Sequence, residues 1–158
     1  MSRPLPLAFL AIAFSASMIA PATAYAESRV PCNTLPAAVL QRAKLEAEAG
    51  DAIVRGCVKD RENGKLTYEV ETLKDGKSKD ITLDVSGTVL EVELEAAISS
   101  LPPAVSDAIA KAAHSGKIGK VESVTRDGAI ASYETTITSN GERREVAFGS
   151  QGAPVEAD

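Results

Sequence analysis

Two stretches of the chain alternate apolar and polar residues with a period of two, and a hairpin turn joins them. Leu66, Tyr68, Val70 and Thr72 interleave with Thr67, Glu69 and Glu71. Ile81, Leu83 and Val85 interleave with Asp80, Thr82 and Asp84. Between them stands Lys74-Asp75-Gly76-Lys77, and Asp-Gly is a dipeptide that readily takes positive φ at both turn positions. Successive strand side chains point to opposite faces, so this pattern requires an antiparallel sheet with one face buried. A shorter strand near Thr88 to Val92 closes the meander. The preceding strand, which carries Cys57, has an ambiguous phase: Val54 and Val58 point one way, Ile53 and Cys57 the other.

The pattern then recurs. Leu35-Pro36-Ala37-Ala38-Val39 is echoed by Leu101-Pro102-Pro103-Ala104-Val105, and Gly50 by Gly116. Tyr68-Glu69 is echoed by Tyr133-Glu134, Asp75-Gly76 by Asn140-Gly141, and Gly87 by Gly152. Each unit opens with a predicted helix. Thr34 and Ser100 are residue types that cap helix N-termini, and a Pro in the first turn suits that start. Leu101, Val105, Ala108, Ile109 and Ala112 make one apolar stripe, as do Leu35, Val39, Ala43 and Ala47. Gly50 and Gly116 are expected to stop the helices. The predicted fold class is therefore α+β, a tandem repeat of one helix plus a four-stranded antiparallel meander. Its expected units are residues 27–95 and 96–158, with the connection near Glu93 to Ser99.

The N-terminus has the order of a secretory signal peptide. Arg3 precedes an apolar run from Leu5 to Ala20, then Pro21, and Ala24-Tyr25-Ala26 offers a small-x-small cleavage site. A membrane span needs about 20 apolar residues, and this run is shorter. Residues 1–26 are the expected leader, which implies bacterial export to a periplasmic or secreted location. Cys32 follows Val30-Pro31, beyond the cleavage site, so no lipid anchor and no membrane anchor after cleavage are expected.

Export gives the two cysteines their meaning, because oxidising compartments favour disulfides. Cys32 precedes a predicted helix and Cys57 lies in the next strand. A helix running out at about 1.5 Å per residue and a strand returning at about 3.3 Å per residue bring Cys57 back to the helix start. Closing such a loop would contribute roughly 3 kcal/mol in the chain-entropy account. A reactive thiol would call for Cys-x-x-Cys spacing or a neighbouring His, and the sequence has neither.

Groups that could carry chemistry are few. His114 is the only histidine and falls at the end of the second helix, where a cation satisfies terminal carbonyls. Neither a triad nor a zinc set can be assembled around it. No Gly-rich phosphate loop occurs. No enzyme activity and no cofactor are expected. Glu91, Glu93 and Glu95 alternate on one face and are weak candidates for holding a hard cation. Asp51, Asp60 and Glu62 raise the same question; the plainer reading of both groups is a solvated face. Arg143-Arg144 beside the Asn-Gly turn is a small basic spot that could contact a partner. Tyr68 and Tyr133 are either core residues or aromatic anchors on a binding sheet. The net charge of −5 argues against nucleic acid or anionic membrane surfaces as partners.

The repeated Leu-Pro-x-Ala-Val opening, the Gly…Tyr-Glu strands (Gly64 to Tyr68-Glu69, Gly128 to Tyr133-Glu134), the Asp-Gly or Asn-Gly turn and the closing Gly resemble PepSY-like domains. More narrowly, they resemble the beta-lactamase-inhibitor-like group, across residues 34–157 as two tandem copies. The resemblance implies a non-catalytic secreted or periplasmic protein-interaction module that restrains a peptidase or grips another envelope protein. The alternative is an envelope protein that binds a small ligand or a divalent cation.

Overall fold

The computed structural model describes residues 27–49, 51–62 and 64–157. The expected leader and the expected stop at Gly50 lie outside the described residues. Among the described residues nine strands form: β1 (Ser28–Arg29), β2 (Ile53–Glu62), β3 (Lys65–Lys74), β4 (Lys77–Asp84), β5 (Val89–Glu95), β6 (Lys117–Arg126), β7 (Ala129–Ser139), β8 (Glu142–Phe148) and β9 (Pro154–Val155). Two α-helices of the described residues join them, α1 (Ala37–Ala49) and α2 (Pro103–Ala113). The strands make one sheet in chain order from β1 to β9, every neighbour antiparallel.

The predicted tandem repeat of one helix plus a four-stranded meander is thereby overturned. The stretch Glu93–Glu95, assigned from sequence to a connection between units, is the end of β5. Glu91 to Glu95 pair in register with Arg126 to Glu122. A strand edge presents unpaired N–H and C=O groups that need partners. The next strand of the same chain supplies them, so the sheet runs on without a break.

The hairpins form where the turn chemistry placed them. Asp75-Gly76 and Asn140-Gly141 both carry positive φ, 51° and 80° in the first and 52° and 84° in the second. The mixed phase of β2 also has a cause. Ile53 and Val54 pair with Leu73 and Thr72, then the register shifts and Gly56 pairs with Glu71. Arg55 is the extra residue of a bulge, and beyond it the facing of the strand's side chains is reversed. Cys57 consequently turns to the helix side, while Ile53 stays 60 % exposed.

Both helices lie on one side of the sheet. Leu35, Val39 and Ala43 meet Cys57, Tyr68, Val70, Ile81 and Leu83 in one core. Leu101, Val105 and Ile109 meet Val121, Tyr133 and Phe148 in a second. The i, i+4 spacing of these small and branched residues lets each helix lie flat on the pleat. Burying a Val, Leu or Ile side chain stabilises by about 1.5–3 kcal/mol, so the two stripes hold the helices down.

Thr34 and Ser100 do not cap the helices. They end short 3-10 turns, where their hydroxyls donate back to the carbonyls of Pro31 and Ala97 at 2.7 Å each. At the end of α2 the left-handed turn falls on His114 (φ 50°), whose N–H donates to the Ala110 carbonyl. Cys32 and Cys57 form a disulfide with a Cα–Cα separation of 5.3 Å, closing 25 residues.

Candidate functional site

Strand alternation puts the polar half of β3, β4 and β5 on the face that neither helix covers. With Tyr68 and Val70 under α1, Glu69 and Glu71 of β3 point away from it, as do Asp80 and Thr82 of β4. Glu91, Glu93 and Glu95 of β5 continue that face, followed by Glu122, Val124 and Arg126 of β6 and Ser132 and Glu134 of β7. Arg143 and Glu145 of β8 lie on the same side, beyond β7. The result is a broad carboxylate band crossing the sheet at right angles to its strands.

Register makes this band electrostatically costly. Glu71 stands opposite Asp80, Asp80 opposite Glu93, Glu95 opposite Glu122, and Glu122 opposite Glu134. Like charges directly across a strand pair destabilise it. Three cations offset part of the repulsion. Arg29 grips Glu71 with two bonds of 2.9 and 2.6 Å, and Arg126 Nε lies 2.5 Å from Glu91. Lys120 Nζ reaches Glu122 at 2.7 Å and Asp80 at 3.8 Å. Glu95 accepts the backbone N–H of Ser78 at 3.1 Å, and buried Glu134 accepts the Ser132 hydroxyl at 2.6 Å.

The remaining charge is relieved by protons. Burial pushes Glu93 up to about 8, helped by the fields of Glu122, Glu91 and Glu69 and by a hydrogen bond with Glu91. Burial also pushes Glu69 up to about 7, with Asp80 and Glu71 adding to the effect. Asp80 is raised as well, by burial first, although Lys120 pulls the other way. Desolvation works against the charge on Lys120, but its hydrogen bond to Glu122 and the surrounding carboxylates outweigh it and hold the ammonium above its ordinary range.

Carboxylate oxygens of Asp80, Glu93 and Glu122 lie within 4.8 Å of one another, a spacing compatible with a metal ion. Lys120 already supplies the positive charge there. The alternating trio seen in the sequence does not converge on one point: Glu91 is held by Arg126, Glu95 by Ser78 N–H, and Glu93 alone joins the cluster. The Ser78 hydroxyl accepts from Lys120 Nζ at 2.9 Å, an arrangement that could suggest a Ser–Lys nucleophile. Glu122 and Asp80 favour the charged form of that lysine, the form that donates to the hydroxyl.

The other sequence-predicted residues go elsewhere. Tyr68 and Tyr133 are only 8 % and 7 % exposed and lie in the two cores, on the helix side. Arg144 also points to the helix side, where Nη2 donates to the Ala112 carbonyl at 2.6 Å and closes the end of α2. Arg143 stays on the open face near Glu145. Asp51 sits in a turn with Lys74 Nζ at 3.8 Å, and Asp60 accepts the N–H of Arg61 at 2.7 Å. Sequence reasoning passed over Glu69, Asp80, Lys120 and Glu122. The alternation that marked the strands also marked Glu69 and Asp80, but only the β4–β5–β6 register brings the cluster together.

The chain matches no protein-family model and no curated protein. Solved structures do match. A DUF2874 family protein from Bacteroides ovatus aligns with TM-score 0.59 at 16% identity, covering 78% of this chain and 86% of that one. A protein of Bacteroides eggerthii, described as a candidate periplasmic protein, aligns with TM-score 0.62 at 13% identity, over 77% and 86%. A BLIP-like protein from Bacteroides fragilis aligns with TM-score 0.55 at 18% identity, over 80% and 85%. At such identities the likeness is one of fold, and the chain has the fold shared by these BLIP-like and DUF2874 structures.

Proposed function

We propose that this protein is a non-catalytic interaction module of the bacterial envelope, which holds a partner protein on the helix-free face of its sheet. The observation that carries the reading is the placement of both helices on one side. Among the described residues no helix lies on the other face of the sheet, and its half-buried carboxylates exceed their cations. A face of that charge fits a Lys- and Arg-bearing surface of the partner. Export is supported by the leader pattern, by the disulfide and by the periplasmic description of one fold neighbour. An envelope peptidase restrained by this chain is the specific partner class we infer from the sequence motifs and from the BLIP-like neighbour. The alternative, a protein that binds a divalent cation or small ligand, is less well supported because Lys120 already sits among the clustered carboxylates.

The test is direct binding between purified components. Oxidised residues 27–158 are used to capture a partner from envelope extract, and the complex is rebuilt from the two purified proteins. Thr82→Arg, in the middle of the open face, should abolish binding. Lys111→Glu, on the opposite side, should leave it intact. If the partner is a peptidase, its turnover should fall as the complex saturates. Binding insensitive to Thr82→Arg would overturn the assignment of the face.

A further inference from the structure

We propose that the outer edge of β8 accepts an extended segment of a partner protein as an added antiparallel strand, and that the charges of Arg143 and Glu145 select it. The edge is open because β9 is short. Its two residues pair with Ala147 and Phe148 and leave Glu142 to Val146 uncovered. The hairpin decides which backbone groups face outward. Asn140 and Gly141 both have positive φ, so Ser139 and Glu142 exchange bonds across a two-residue turn. In an antiparallel ladder such pairs alternate with residues whose N–H and C=O point the other way. Arg143 and Glu145 are those residues. The bond from Gly149 N–H to the Ala153 carbonyl, at 2.9 Å, lies on the same outer side and fixes the parity. Among the described residues no backbone bond reaches Arg143 or Glu145 from that side.

The opposite edge of the sheet offers no such stretch. On β2, Lys59 and Val58 pair with β1, and the Cys57 carbonyl accepts the N–H of Val30. Beyond Cys57 the bulge at Arg55 breaks the register. On β8, by contrast, every residue from Glu142 to Glu145 is exposed.

Charged side chains on an edge strand ordinarily keep other strands away. Arg143 and Glu145 carry opposite signs on the helix-free side of β8, two residues apart, and so discriminate instead. A strand that places a carboxylate opposite Arg143 and a cation opposite Glu145 gains two cross-strand pairs, whereas the reverse order meets like charge twice. On the helix side, the residue opposite Val146 points into a cleft of about 320 Å³ between this edge, Ala112 at the end of α2, and Val155 and Ala157 of the C-terminal segment. A short apolar side chain fits there, while main-chain bonds hold the strand. From its N-terminus, the fitting segment therefore runs apolar, basic, small, acidic. The contact is made along the edge and does not depend on what the centre of the helix-free face holds.

The probe is the peptide acetyl-Val-Lys-Thr-Glu-Thr-amide, titrated into isotope-labelled, oxidised residues 27–158. The amide NMR signals of Arg143 and Glu145 should move most, and those of Arg55 and Lys59 on the opposite edge should stay. Exchanging Lys and Glu within the peptide should weaken binding about tenfold, since both cross-strand pairs change sign. N-methylation of the same two peptide residues removes the N–H groups that face the edge and should abolish binding. Arg143→Glu combined with Glu145→Arg should reverse the preference between the two peptides. Movement centred elsewhere on the sheet would overturn the proposal. So would equal affinity for the two peptides, or no movement at several millimolar peptide, which is the result expected of an edge that its charges merely guard. These readings come from the unsubstituted protein and do not depend on a variant folding.

Discussion

A Cβ placed on Gly87 would stand 2.7 Å from the carbonyl oxygen of Ala38, in the first turn of α1. The loop after β4 thus closes directly on the helix that covers β4. Gly152 stands in the same relation to Ala104 of α2. Gly87 also has φ of 82°, so an L-side chain meets both backbone strain and a clash there. Gly76 is the natural control: it shares the positive φ but has nothing within 4 Å. Gly76→Ala should cost about 1 kcal/mol. Gly87→Ala should cost more, on the order of 2–4 kcal/mol, because α1 must shift. Urea unfolding of the two variants measures the difference, and equal costs would show that the helix yields freely.

The Cys32–Cys57 bridge ties the segment before α1 to the strand beneath it. Replacing both cysteines with Ala should lower stability by about 2–5 kcal/mol. Thermal melting with and without reductant should show the same loss in the unsubstituted chain. The second core, under α2, contains neither cysteine, so its near-UV aromatic signal from Tyr133 and Phe148 should persist below the melting point.

Ile81 and Ile109 are fully buried, one in each core. Truncation of either to Ala should cost about 2–5 kcal/mol, from lost transfer energy and the residual cavity. The two sites belong to separate clusters with no shared neighbours. Their effects should therefore add in the double variant, to within about 0.5 kcal/mol. Chemical denaturation of the single and double variants checks this.

Stability should depend on pH in the direction opposite to that of most acidic proteins above pH 5. Glu69 and Glu93 bind protons more tightly folded than unfolded, with folded values of about 7 and about 8 against 4.5. Their contribution is fully present below 4.5 and is lost as pH rises through 7 and 8. Glu46 works the other way: its hydrogen bond to Lys79 lowers it, so its contribution is lost as pH falls through the acid range. Denaturation midpoints should therefore decline from pH 6 to pH 9, and Glu69→Gln with Glu93→Gln should flatten that decline. A midpoint that rises over this interval would contradict the assignment.

Much of this fold was readable in the order of the residues. Tyr68, Val70, Ile81 and Leu83 announced the buried face by period, and Asp75-Gly76 announced the turn, because both depend only on neighbours in sequence. The helix stripes through Val39 and Val105 were equally local. What escaped was pairing. Nothing in Glu91 to Glu95 says whether Arg126 or solvent lies alongside, so the end of β5 read as a connection. The candidate site suffered for the same reason, since Asp80, Glu93 and Glu122 become one cluster only through two successive registers. The tyrosines were legible as core residues or as anchors, and the choice turned on which face the helices took.

The strand order has a consequence for how the molecule comes into being. Each strand from β2 to β9 lies beside the strand made just before it, and among the described residues two of the connections carry an α-helix. Loop closures therefore stay short, and their entropy is regained at each hairpin. Assembly can begin at Asp75-Gly76 or at Asn140-Gly141 and zip outward in either direction. The β5–β6 ladder is the place where two such advancing fronts would meet.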